Sequence, residues 1–132
     1  LNDWPSEEFG PRWSPDGERI AFVSDRRPAT GDSTANYHVY TMPAEGGEAT
    51  WVTGGASVDW SPDGRSLVVV QRWGNGRGLH VVPASGGTPT PLHDDPASGW
   101  LRWSPDGSEI LLSPLDVHGA IWVADVSALV GR

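Results

Sequence analysis

The pentapeptide Trp-Ser-Pro-Asp-Gly occurs three times in this chain of 132 residues, at Trp13–Gly17, Trp60–Gly64 and Trp103–Gly107. Proline presets the backbone for the first central position of a type I turn, aspartate tolerates the second and binds nearby amides, and glycine takes the left-handed position that follows. Each copy therefore predicts a tight turn between two strands, with its tryptophan packed between neighbouring sheets. We assign to this structural repeat Trp13, Asp16, Gly17, Trp60, Asp63, Gly64, Trp103, Asp106 and Gly107.

The pentapeptides belong to longer repeats that start about 45 residues apart, a period typical of propeller blades and similar units. An uninterrupted apolar run follows each pentapeptide, at 20–23, 67–70 and 110–112, and such runs indicate strands that are covered on both faces. Two repeats also contain a Gly-Gly pair, at 46–47 and 86–87, which suits a hairpin turn. We therefore predict an all-β fold, in which each unit is a blade of four antiparallel strands.

Composition and charge exclude several classes of partner. The chain has 17 Gly, 12 Pro and 8 Trp, as expected for short strands joined by tight turns, and its formal net charge is −8. A strongly acidic chain repels phosphate backbones and anionic lipids, so we expect neither a nucleic-acid partner nor membrane insertion. There is no cysteine, and we expect no cofactor. No signal peptide is visible, and the periplasm and the cytoplasm both remain open as the compartment.

The repeat resembles a known type of blade. The pentapeptide followed by ERIAFVSDRR at 18–27, and then HVYTMPAEGGEATWVT at 38–53, is similar to the WD-repeat-like blades of TolB and of the propeller domains of prolyl oligopeptidase and acylaminoacyl peptidase relatives. The resemblance implies β-propeller blades in closed rings of roughly six or more. We place blade 1 at 10–54, blade 2 at 55–93 and an incomplete blade 3 at 99–132; residues 1–9 then end a preceding strand and connect it to blade 1.

Three blades form an arc, and an arc has two uncovered flanks. Each flank of four strands covers about 300 to 400 Å², so two bare flanks would exceed the apolar patch usual on a monomer. We expect the arc to be closed by self-association, as a homodimer with about six blades, or by the remainder of a larger chain. A protein or peptide partner is also possible.

The loops opposite the pentapeptide turns differ in length and character, and variable loops on a rigid scaffold are where ligands usually bind. Solvated loops without a ligand are the alternative for each residue. The candidate binding residues on this loop face are Arg26, Arg27, Asp32, Arg72, Trp73, Arg77, Asp94, Asp95 and His118.

Charged residues precede the three repeat tryptophans, at Arg12, Asp59 and Arg102. Matching positions on the inner strands predict either ion pairs between successive blades or a charged lining of a central channel, and we favour the pairing.

The four histidines do not have the spacing of a metal site, and we predict no metal ligand.

Catalytic motifs are missing from these residues. A peptidase of the resembled group needs a nucleophilic serine in a G-x-S-x-G elbow, which does not occur here, and the lack of lysine rules out a phosphate loop. We therefore assign no catalytic residue and expect this chain not to be an enzyme. The leading hypothesis is a non-catalytic module that binds proteins or ligands. The alternatives are a fragment of the substrate-gating propeller of a prolyl oligopeptidase-type serine peptidase, and a purely structural half-propeller that assembles with itself.

Overall fold

The computed structural model describes residues 8–28, 36–71, 78–93, 98–114 and 122–126, and these residues form three antiparallel β-sheets. The prediction of an all-β fold is confirmed. None of the described residues belongs to a helix that is long and apolar enough to cross a bilayer. The first sheet contains β1 (Glu8–Trp13), β2 (Arg19–Ser24), β3 (His38–Pro43) and β4 (Thr50–Gly54); the second contains β5 (Ser57–Trp60), β6 (Ser66–Gln71), β7 (Gly78–Pro83) and β8 (Thr90–His93); the described part of the third contains β9 (Ser98–Trp103), β10 (Glu109–Pro114) and β11 (Trp122–Asp125).

Each pentapeptide lies at the turn between the first two strands of its sheet. In the first turn the Ser14 hydroxyl donates to Asp16 Oδ1 over 2.6 Å, and the Glu18 N–H donates to the same oxygen over 2.9 Å. The Arg19 N–H returns to the Ser14 hydroxyl over 3.0 Å. The same three contacts recur around Asp63 and Asp106. Serine and aspartate therefore cross-link the turn internally, which explains why the repeat keeps both.

The middle strand of the second sheet shows why an apolar run without alternation folds here as a strand. Leu67 and Val69 of β6 pack into a core shared with the first sheet, whereas Val68 and Val70 pack into a core shared with the third sheet. All four side chains are fully buried. Both faces of this strand thus lie inside the molecule, as the sequence predicted.

In each sheet, strand pairing places residues directly opposite one another in a row that runs across the strands. Equivalent residues of successive sheets occupy the same place in their rows. The row on the first sheet contains Arg12, Ala21, Thr41 and Thr50, which are direct partners across β1 to β4. The corresponding rows are Asp59, Val68, Val81 and Thr90 on the second sheet, and Arg102, Leu111 and Val123 on the third. A residue of one sheet can therefore be compared with its counterpart in the next.

The three repeat tryptophans have different surroundings. Trp60 is only 5% exposed, and its indole N–H donates to the carbonyl of Arg12 on the first sheet over 3.0 Å, so it joins two sheets. Trp103 donates instead to the carbonyl of Gly107 in its own turn. Trp13 is 65% exposed. Packing between sheets therefore describes Trp60 and also Trp103, which is partly buried against the core between the second and third sheets, whereas Trp13 lies at the surface.

The two outer faces of the arc also differ. On the first sheet, Ile20, Phe22, Tyr40 and Met42 point away from the second sheet and are nevertheless buried, with Trp51, Ala44 and Ala49 packed against them. The outer side of this sheet is therefore not bare. On the third sheet, Leu111 and Val123 are 45% and 53% exposed, although the equivalent Val68 is completely buried beneath the third sheet.

Candidate functional site

Three charged side chains lie in one register row at the inner edge of successive sheets. Arg12 is on β1, Asp59 on β5 and Arg102 on β9, and each is the first member of the row defined above. Asp59 Oδ2 accepts the Trp103 N–H of the third sheet over 2.8 Å, and Oδ1 accepts the N–H of Trp60 over 2.9 Å. Asp59 therefore links the second sheet to the third.

The two arginines adopt matching arrangements. The Nη1 group of Arg12 donates to the carbonyl of Pro11 over 2.8 Å, and that of Arg102 donates to the carbonyl of Leu101 over 2.7 Å. The Nε atom of Arg12 is buried without a hydrogen-bond partner. Burial and the nearby positive charge of Arg102 lower the pKa of Arg12, while Asp59 raises it.

The predicted link between blades is thus present but has a different chemistry. Among the residues that the structure describes, no ion pair joins Asp59 to either arginine, and its two oxygens each accept a backbone N–H group. Two guanidinium groups therefore lie in one row with a single carboxylate. Such an inner edge can attract an anionic group, since guanidinium and carboxylate form strong paired hydrogen bonds.

The loop-face candidates are described only in part. Arg26 and Arg27 follow β2 and are exposed. The backbone at Arg26 is fixed from both sides, because its N–H donates to the Ser24 hydroxyl over 3.0 Å and its carbonyl accepts the Tyr40 hydroxyl over 2.9 Å. The other candidates lie outside the described residues: Asp32, Arg72, Trp73, Arg77, Asp94, Asp95 and His118.

Two histidines have structural contacts. His38 is buried, and its Nδ1 accepts the indole N–H of Trp51 over 3.1 Å, so this nitrogen carries no proton in that contact. His80 is buried, with its Nδ1 3.3 Å from the carbonyl of Gly78. Within the described ranges, no group of three or more potential ligands could hold a metal ion.

Sequence reasoning missed a groove of about 560 Å³ between the first and second sheets, at the end where the pentapeptide turns lie. The sequence does distinguish this groove, because residues that line it differ between the repeats, above all Arg19 and Arg65. The lining residues are Arg19, Thr41, Thr50, Trp60, Gly64, Arg65, Ala84 and Ser85.

Comparisons with known proteins place these features in context. No family model matches the chain. The chain is 44% identical over 73 residues to the uncharacterized peptidase YuxL of Bacillus subtilis, a match that covers 52% of this chain and 10% of that protein. It is 29% identical over 111 residues to the uncharacterized protein Atu1656 of Agrobacterium fabrum, a match that covers 79% of this chain and 35% of that protein. The chain thus spans between a tenth and about a third of these relatives.

Solved structures share the fold. A structure assigned as TolB from Agrobacterium tumefaciens matches 96% of this chain and 48% of its own, with a TM-score of 0.70 and 23% identity. The propeller domain of the Trilobed protease from Pyrococcus furiosus matches 93% of this chain and 40% of its own, with a TM-score of 0.67 and 15% identity. Pyrococcus horikoshii acylaminoacyl peptidase matches 93% of this chain and 24% of its own, with a TM-score of 0.67 and 14% identity.

The three sheets are therefore blades of a β-propeller. Their type is the TolB-like blade, as the resemblance of the repeats implied. One expectation needs correction. We expected the chain not to be an enzyme, and its 44% identity to a protein named a peptidase contradicts that expectation. The error came from treating the missing G-x-S-x-G motif as a property of the protein, although these residues match only a tenth of that relative.

Proposed function

We propose that this chain is the propeller portion of a peptidase of the prolyl oligopeptidase type, and that the propeller controls which peptides reach a hydrolase domain. The observation that carries the proposal is the 44% identity over 73 residues to a protein named a peptidase. The propellers of two proteins named a protease and a peptidase share the fold, which is consistent with this assignment.

The inner edge supplies a physical basis for such control. Arg12, Asp59 and Arg102 occupy the innermost strands of three successive blades, which border the central opening when blades form a ring. Because the row holds two guanidinium groups and one carboxylate, its local charge is positive. A peptide that passes this edge would meet donors suited to its carboxylates.

We further propose that another blade covers the third sheet. Leu111 and Val123 are half exposed, whereas Val68 and Val81, their counterparts on the second sheet, pack against the next sheet. The covering blade would belong either to a longer polypeptide or to a second copy of this chain. Measuring the solution mass of the intact protein by light scattering distinguishes these two sources.

The test uses the complete product of the gene. We expect a serine-directed fluorophosphonate probe to label it at a G-x-S-x-G serine, and we expect it to hydrolyse short peptide amides but not a folded protein. Replacing that serine by alanine is the control, and it should remove both labelling and hydrolysis. A complete protein that is neither labelled nor active on peptides would refute the proposal.

A further inference from the structure

The groove between the first and second sheets is built from two complete sheets and is independent of how a ring closes. The first sheet contributes Arg19, Thr41 and Thr50, and the second contributes Trp60 together with residues of its turns. Its volume of about 560 Å³ lies within the range of ligand-binding pockets. It therefore has room for several side chains of a bound segment.

The two junctions between sheets differ at positions that line this groove. Ala84 lines it, and the Ala84 N–H donates to the carbonyl of Arg65 over 2.9 Å. The same contact in the third sheet joins the Val126 N–H to the carbonyl of Ser108 over 2.7 Å, so Val126 is the counterpart of Ala84. Val126 is buried and packs with Val81, the counterpart of Thr41. The second junction therefore has two apolar side chains at these positions, whereas the first has the smaller Ala84 and the polar Thr41.

Charge also distinguishes the two junctions. Arg19 and Arg65 line the first groove, and their counterparts at the second junction are Ser66 and Ser108. Arg19 is oriented by a hydrogen bond of 2.8 Å from its Nη2 group to the Thr41 hydroxyl, which leaves its other donors available.

Two carboxylates of the adjacent turns interact electrostatically with these arginines, Asp16 with Arg19 and Asp63 with Arg65. Asp16 and Asp63 each accept a serine hydroxyl and a backbone N–H within their own turn. The side chain of Arg65 makes no hydrogen bond within the part of the chain that the structure describes. Among the described residues, neither guanidinium group is therefore hydrogen-bonded to a carboxylate.

We propose that this groove binds an acidic peptide segment, whose carboxylates are held by Arg19 and Arg65. Arginine forks bind carboxylates through paired hydrogen bonds, and clusters of arginine are a common means of recognising acidic motifs. The hydroxyl groups of Thr50 and Ser85 add donors along the groove. The net charge of −8 repels acidic segments from the molecule as a whole, so an acidic segment can bind only where cations lie together, as Arg19 and Arg65 do in this groove.

The experiment measures binding of N-acetylated tetraglutamate to the protein by calorimetry. The decisive variant exchanges the charges between junctions, as Arg19→Ser, Arg65→Ser, Ser66→Arg and Ser108→Arg, and it keeps the net charge unchanged. We expect it to bind at least about tenfold more weakly, since each lost charged hydrogen bond is worth roughly that factor. Arg65→Ser alone changes one exposed side chain, and it tests the same point if the exchange variant does not fold.

A second variant tests the shape of the groove. Ala84→Val introduces the counterpart found at Val126, and we expect it to weaken tetraglutamate binding without removing a charge. Tetraglutamine and inorganic phosphate are the ligand controls, and neither should bind as tightly as tetraglutamate. Equal binding of tetraglutamate to the wild type and the exchange variant would overturn the proposal, as would equal binding of tetraglutamine or phosphate to the wild type.

Discussion

Asp59→Ala tests how the second and third blades are held together. The substitution removes a charged acceptor that binds the Trp103 N–H over 2.8 Å and the Trp60 N–H over 2.9 Å. A hydrogen bond to a charged group contributes about 1.5 to 3 kcal/mol, and a donor left without its acceptor adds to the loss. Because Asp59 is half-buried, water can replace part of the contact. We expect a loss of about 2 to 3 kcal/mol in the free energy of unfolding.

Urea denaturation at neutral pH measures this loss, and two variants serve as references. Asp59→Asn keeps an amide oxygen that can accept one N–H, so we expect about half of the loss. Glu48→Ala removes the same charge from an exposed position, and we expect a change below about 0.5 kcal/mol.

Salt adds a second signature to the same experiment. Without Asp59, the repulsion between Arg12 and Arg102 is no longer offset, so added salt should stabilise Asp59→Ala more than the wild type. A loss for Asp59→Ala no greater than that for Glu48→Ala would refute the view that Asp59 joins the blades.

Three other changes test separate features of the fold. Trp60→Phe should cost about 1 to 2 kcal/mol in urea denaturation, because it leaves the Arg12 carbonyl without its donor, whereas Trp13→Phe at an exposed site should change little. Hydrogen bonds from Ser108 and Ser104 lower the pKa of Asp106 from 3.8 to about 2, so its stabilising contribution is present above pH 3.8 and is lost as the pH falls towards 2. The Asp106→Asn variant should show a smaller fall in melting temperature across that window, and an identical fall would contradict this role. Val123→Lys should lower the melting temperature of the complete protein, because a covering blade would bury the charge, and an unchanged melting temperature would contradict the proposed ring.

The local parts of the fold could be predicted because local chemistry determines them. Ser14, Asp16 and Gly17 form their turn through contacts within a few residues, so the pentapeptide alone predicts it. The buried middle strand was also predictable, since an apolar run such as 67–70 fits a strand that is covered on both faces.

Contacts between blades were harder to predict. Asp59 was expected to pair with arginine because opposite charges stood at equivalent positions, but its partner is the Trp103 N–H, 44 residues away. A backbone donor carries no signature in the sequence, so only the packing of the sheets reveals it. The exposure of Trp13 was hidden for the same reason, since its pentapeptide is identical to that around the buried Trp60.

Repetition itself explains where the groove was overlooked. Equivalent positions in the repeats have the same backbone conformation. A different side chain at such a position therefore changes the volume that is filled between two sheets. Ala84 leaves open at the first junction part of the volume that Val126 occupies at the second. A side chain lost from a core normally costs stability, because the cavity loses its contacts. Where a repeat tolerates such a gap and lines it with two arginines, binding is a better explanation than packing, and the exchange of charges between the two junctions tests that explanation directly.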